Sequence, residues 1–254
     1  MKLSIILPVR NQTDKLLKNL KEKIIPFFDG QNILYDILIE SDGSSKEEEE
    51  KLEDALKTMP LQVKHIPYEN KFGKGYAIKK AILASNSDYV LFMDVDLSTD
   101  LSAFNEIKKD IGKYDCFIGS REAKGAKIVE KQPFIRRLTH WGCRTLIRYK
   151  FHLKGITDTQ CGFKMFKTDI AKLMVKHQII DTFAFDVEYI YFLSLNHFSI
   201  KEIPVIWKDD PDSSISPKLM NISWNFYSAL RIIKKNKKNY LLTEEERMSL
   251  KTSH

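Results

Sequence analysis

The sequence has 254 residues, with 41 Lys or Arg against 34 Asp or Glu, a formal charge of +7 at pH 7. With 43% hydrophobic residues, 10 Gly, 8 Pro and 3 Cys, it is neither collagen-like nor wholly disordered nor built on disulfides, and its length suffices for one large core. No stretch approaches the roughly 18 to 20 uninterrupted apolar residues that cross a bilayer; Tyr189 to Phe198 comes nearest and is broken by Ser194 and Asn196. The first residues are too short an apolar run for a signal peptide, and the three cysteines show no metal-ligand spacing. A cytoplasmic chain with reduced thiols is expected.

In chain order, Lys2 to Val9 reads as a strand, followed by helical spacing from Thr13 to Lys23 through Leu16, Leu17 and Leu20. Ile33 to Ile39 is a second apolar run, closed by Ser41-Asp42-Gly43-Ser44-Ser45 and followed by a Glu/Lys-rich helix through Leu52 and Leu56. Val63 to Ile66 is a weaker strand, Gly75 to Ala84 a helix, and Tyr89 to Met93 a strand that ends in Asp94-Val95-Asp96. Cys116 to Ile118, Lys164 to Phe166 and Ile203 to Trp207 are further strands. Apolar strands alternating with helices predict an α/β fold around a mostly parallel sheet covered on both faces. The polar clusters Pro8 to Gln12, Ser41 to Ser45 and Asp94 to Ser98 all follow strands, so they should share the ligand-binding edge of that sheet. One catalytic domain is expected over residues 1 to 230, with a charged helix and mobile tail over 231 to 254.

Asp94 and Asp96 stand at i and i+2 of an extended chain end, where both carboxylates can reach one ion. Such oxygens suit Mg²⁺ or Mn²⁺ shared with a diphosphate, although a solvated turn has the same composition. Asp42 can either cap a turn among the serines around it or accept a hydrogen bond from a nucleobase. Gly73-Lys74-Gly75 is not a Walker A loop, because Tyr68 stands where that motif has its first Gly and Gly75 where it has Ser or Thr.

These pieces, in this order, resemble the family 2 glycosyltransferases of GT-A fold: Pro8-Val9-Arg10-Asn11, Ser41-Asp42-Gly43-Ser44-Ser45, Gly73-Lys74-Gly75 and Asp94-Val95-Asp96. Further matches are Gly119-Ser120-Arg121, Asp158-Thr159-Gln160-Cys161-Gly162-Phe163-Lys164, Phe185-Asp186-Val187-Glu188 and Glu202-Ile203-Pro204-Val205-Ile206-Trp207. They narrow the resemblance to polyprenyl-phosphate sugar synthases, above all the dolichyl-phosphate β-glucosyltransferase type. The resemblance implies that Pro8, Arg10, Asn11, Asp42 and Lys74 lie along the nucleotide sugar. Asp94, Val95 and Asp96 would hold its diphosphate and a Mg²⁺ or Mn²⁺ ion. Arg121, Gln160 and Lys164 would lie at the acceptor, with Asp158 and Asp186 as candidate bases. Arg10 and Ser41 depart from the family pattern and leave open whether the donor is UDP-glucose or GDP-mannose.

The implied reaction is an inverting displacement that moves a hexose to a polyprenyl phosphate at the cytosolic face of a membrane. A glycan hydroxyl is the alternative acceptor, and would need a general base. A phosphate acceptor is already anionic and calls instead for cations, for which Arg121, Arg136 and Arg137 are candidates.

The charge is local. Lys124 to Lys154 holds nine Lys or Arg and one acid, so this segment carries +8 and the remainder −1. Within it, Phe134 to Lys150 has amphipathic helical spacing, with Arg137, His140, Arg144 and Arg148 beside apolar Phe134, Leu138, Trp141 and Leu146. Such a helix can lie in a membrane interface or cover the core. No groove-reading motif supports a nucleic-acid partner.

Overall fold

Each apolar run finds strand partners because its successive side chains point to opposite faces, and both faces are covered. The computed structural model describes residues 1–67, 72–129, 134–153, 155–209 and 219–252, and their side chains except at 134–141, 219–223 and 251–252. Seven strands form one sheet in the spatial order β3 (Val63–Ile66), β2 (Leu34–Ser41), β1 (Lys2–Val9), β4 (Tyr89–Met93), β7 (Phe163–Lys167), β5 (Cys116–Ser120) and β8 (Ile200–Pro204). A short parallel pair, β6 (Lys127–Ile128) and β9 (Ile206–Trp207), stands beside it.

In β1 and β2, Ile5, Leu7, Ile37 and Ile39 face one side. There they meet α1 (Thr13–Asn19), a π-helical turn (Leu20–Ile24), α2 (Ile25–Asp29) and α5 (Ala103–Lys108) through Leu16, Leu20, Phe28 and Phe104. Ile6, Leu38, Val90 and Phe92 face the other side, against α4 (Lys74–Ala84), α7 (Thr168–Lys176) and α8 (Phe185–Leu195). α3 (Lys46–Leu56) starts at Ser45, whose side chain accepts from Glu48 N at 3.3 Å, and has three Glu in its first turn, where the helix dipole favours them.

The sheet is mostly parallel, but β7 runs antiparallel to both β4 and β5, with Met93 opposite Phe163. The long helix α6 (Phe134–Phe151) returns the chain to the carboxyl edge of the sheet, and β7 descends from there. This reversal brings Asp158 to Gly162 to the same edge as the loops after β1, β2 and β4.

The C-terminal segment is not a free tail. α9 (Leu219–Lys235) crosses the expected boundary at residue 230, and a 3-10 turn (Lys237–Tyr240) and α10 (Glu244–Thr252) continue along the domain. α8 is buried at every position from Phe185 to Leu193, so it needs cover on its outer side. Tyr240 and Leu242 supply it: Tyr240 Oη donates to Glu188 at 2.7 Å, and Asn196 Nδ2 donates to Tyr240 O at 2.7 Å. Among the described residues, no helix is long and apolar enough to cross a membrane.

Candidate active site

The parallel register places Val9 beside Ser41, so the loops after β1 and β2 emerge together. Asp42 N donates to Val9 O at 3.1 Å, and Asn11, at φ 50°, accepts from Ser45 N at 2.8 Å. Pro8 lies at the end of β1 and Arg10 is exposed. Asp42 is buried and its Oδ1 accepts from Phe72 N at 3.0 Å and Gly73 N at 2.9 Å. One oxygen of the expected base-reading carboxylate therefore braces the start of α4. Gly73 is required there: its φ is 125° and a Cβ would overlap the Asp181 carbonyl.

β4 delivers Asp94, and the turn behind it is fixed by several contacts. Leu97, at φ 53°, donates to Asp94 O at 3.2 Å, Ser98 N donates to Asp96 Oδ1 at 2.9 Å, and Asn19 Nδ2 donates to Val95 O at 2.7 Å. Lys74, the first residue of α4, forms an ion pair through Nζ with Asp94 Oδ1. Burial acts to lower the Lys74 pKa, but Asp94, Asp186 and Asp96 outweigh it and hold the ammonium charged. Gly162 O accepts from Asp94 N at 3.1 Å, and a Cβ at Gly162 would overlap the Asp94 carboxylate. Among the described residues, no cluster of three His, Cys, Asp or Glu could hold an ion. A cation at Asp94 and Asp96 would take its other ligands from elsewhere, and Mg²⁺-like ions do so with substrate phosphates.

On the other side of Gly162, Asp158 is fully buried and grips Arg121 through both oxygens, with Nε to Oδ2 at 2.7 Å and an amino group to Oδ1 at 2.9 Å. Arg121 N and Gln160 N also donate to it, at 3.1 and 3.2 Å. Burial alone would raise the Asp158 pKa, but the Arg121 bonds dominate and pull it down to about 2. The guanidinium lies over the Trp207 ring, 5.5 Å from its centre. Glu202 secures the segment by accepting from Thr157 N at 2.7 Å and Asp158 N at 2.9 Å. Lys164 is fully enclosed: Nζ donates to Cys161 O at 2.6 Å and pairs with Asp186. Asp186 is itself buried, and desolvation raises its pKa although Lys164 and Lys74 oppose the rise.

The structure thus brings Asn11, Asp42, Lys74, Asp94, Val95 and Asp96 to one edge, with Arg121, Asp158 and Gln160 next to them. It encloses Lys164 behind that edge rather than presenting it. The side chains of Arg136 and Arg137 lie outside the described residues. Sequence reasoning gave no role to Asn19, Glu202 or Gly162, whose function is to hold neighbours in place. Gly162 and Glu202 stand within the matched motifs, and Asn19 carried a signal of its own, a polar residue on the apolar stripe of its helix.

The Glycosyl transferase family 2 model matches residues 4–174. A dolichyl-phosphate beta-glucosyltransferase of Dictyostelium discoideum is 30% identical over 227 residues, covering 85% of this chain and 69% of that protein. One from Trichomonas vaginalis is 31% identical, with 81% of this chain and 65% of that protein covered, so this chain spans about two thirds of their length. Among solved structures, glucosyl-3-phosphoglycerate synthase of Mycobacterium tuberculosis with Mn²⁺, UDP and phosphoglyceric acid superposes with a TM-score of 0.64 at 13% identity, over 92% of this chain and 78% of that one. Mannosyl-3-phosphoglycerate synthase of Rubrobacter xylanophilus gives 0.58 at 15% identity, over 96% and 77%. These neighbours share the fold, and the matched model, covering most of the chain, carries the assignment: the chain belongs to glycosyl transferase family 2.

Proposed function

We propose that the chain transfers glucose from UDP-glucose to a polyprenyl phosphate, with inversion at the anomeric carbon. The placement of Asp42, Lys74, Asp94 and Asp96 along one sheet edge beside the Arg121–Asp158 pair carries this reading. The names of the relatives support the sugar and the lipid phosphate. Asp42 has a second carboxylate oxygen with which to accept from the base, while Asn11 keeps the adjoining loop in shape. Asp94 and Asp96 would hold a divalent cation, which when bound neutralises charge on the departing diphosphate. Lys74 adds a fixed positive charge at the same place.

The state of the two candidate bases favours a phosphate acceptor over a glycan hydroxyl. Asp158, with a pKa of about 2 and both oxygens on Arg121, is a poor proton acceptor at neutral pH. Asp186 is enclosed against Lys164. A hydroxyl acceptor needs a base near its oxygen, whereas a phosphate monoester attacks without giving up a proton. Arg121 orients the Asp158–Gly162 segment along the acceptor side.

Acceptor competition tests this. With labelled UDP-glucose, a short polyprenyl phosphate should accept label, while the matching polyprenol and soluble oligosaccharides should not. Transfer to the oligosaccharides alone would replace this reading with the glycan one.

A further inference from the structure

We propose that the chain docks on an anionic bilayer through one face formed by the exposed stripe of α9 and the C-terminal turns of α6. Neither helix contains an Asp or Glu, while α6 has five Arg or Lys and α9 has three. Along α9, Trp224, Tyr227, Arg231 and Lys235 follow i, i+3, i+7, i+11 spacing and are all exposed, Trp224 at 67%. The opposite side of the helix buries Ala229, Leu230 and Ile233 in the core. This stripe is therefore the outer face of a helix whose inner face is already satisfied.

The two helices are joined by side chains of this same face. Lys150 of α6 sits with Nζ 4.8 Å from the centre of the Tyr227 ring, and that ring lies 6.3 Å from the ring of Trp224. Lys234 Nζ donates to Lys150 O at 2.7 Å. Tyr149, 82% exposed, and Leu146 extend the apolar part. Arg144, part of the basic stripe read from the sequence of α6, pairs with Glu122. That contact ties α6 to the loop one residue beyond Arg121, so the face stands on the acceptor side of the site.

Trp and Tyr rings settle at headgroup level, and Arg and Lys are drawn to anionic headgroups. Two helices without an acid of their own, whose outer residues mix these types, are complementary to a negatively charged bilayer. The docking rests on the lipid-acceptor reading only for its purpose, which is to deliver a membrane-borne phosphate to Arg121 and Asp158.

The test is cosedimentation with phosphatidylcholine vesicles, with and without phosphatidylglycerol. The parent should bind the anionic vesicles, release them at high salt and ignore the neutral ones. Arg231→Glu with Lys235→Glu should weaken binding by about 25-fold or more, at about fivefold per surface cation lost, and Trp224→Ser should weaken it separately, both with unchanged thermal melting. Lys21→Glu with Lys23→Glu, an equal charge change on exposed residues across the sheet, should bind as the parent does. Failure of the parent to bind, an equal loss in the control, or tighter binding to a duplex oligonucleotide would overturn the proposal. Transfer to a short water-soluble prenyl phosphate separates the two readings. If transfer persists without vesicle binding, docking fails alone; if vesicle binding persists without transfer, the acceptor reading fails alone.

Discussion

The ammonium of Lys74 is ion-paired with the carboxylate of Asp94, one of the two acids at the end of β4. On the proposed reading, a divalent cation held by Asp94 and Asp96 would compete for that carboxylate, and Lys74 would then be available to the diphosphate. Lys74→Met should therefore tighten binding of free Mn²⁺ in the absence of nucleotide, as read by electron paramagnetic resonance. Transfer should fall by about ten- to a hundredfold, the loss of one charge-assisted contact worth about 1.5 to 3 kcal/mol. Unchanged Mn²⁺ binding would show that Lys74 and the ion do not meet at Asp94.

The Arg121–Asp158 pair should make the protein sensitive to acid. Asp158 is depressed from 3.8 to about 2 in the folded state, so its contribution is present above about pH 4 and is lost as pH falls toward 2. At about 1.4 kcal/mol per pKa unit this amounts to about 2 kcal/mol. Arg121→Met, which leaves the buried carboxylate alone, should cost about 3 kcal/mol or more at pH 7, and adding Asp158→Leu should restore part of it. Urea melts of the single and double variants measure both effects; a double variant weaker than the single one would contradict the pairing.

Glu40 predicts the opposite slope. It is fully buried between β1 and β3, and its carboxyl oxygens have no hydrogen-bond partner among the described residues. Burial raises its pKa to about 8, with Lys80 opposing and Asp42 and Glu49 adding to the rise. A raised carboxyl favours folding below its unfolded pKa and progressively loses that advantage as pH rises toward 8. Glu40→Gln should melt about 4 °C or more above the parent at pH 8, since about 1 kcal/mol moves Tm by 2 to 4 °C in a domain of this size. Near pH 4.5 the two should nearly coincide. A difference that does not change with pH would mean that Glu40 is ionised throughout.

The loops at the sheet edge were legible in the sequence because a parallel strand is a short apolar run whose exit faces the ligand side. Asn11, Asp42, Asp94 and Asp96 are placed by that rule alone. The direction of β7 was not legible, since a five-residue strand pattern reads the same both ways and only the path of the chain before it decides it. The use of charge was not legible where long-range pairing decides it. Arg121 and Lys164 looked like free cations for an acceptor, but their partners Asp158 and Asp186 lie 37 and 22 residues away. The polar composition beyond Arg231 likewise concealed Tyr240 and Leu242, two side chains that cover a helix buried from Phe185 to Leu193.

Transfer of label from UDP-glucose into the organic phase, in the presence of Mn²⁺ and a short polyprenyl phosphate, tests the central claim most directly when the parent is run beside Asp96→Asn. The parent should place label in the organic phase, and the variant, melting at the same temperature, should place almost none. Label that stays in the aqueous phase with the parent, or a variant that transfers as well as the parent, would contradict the assignment.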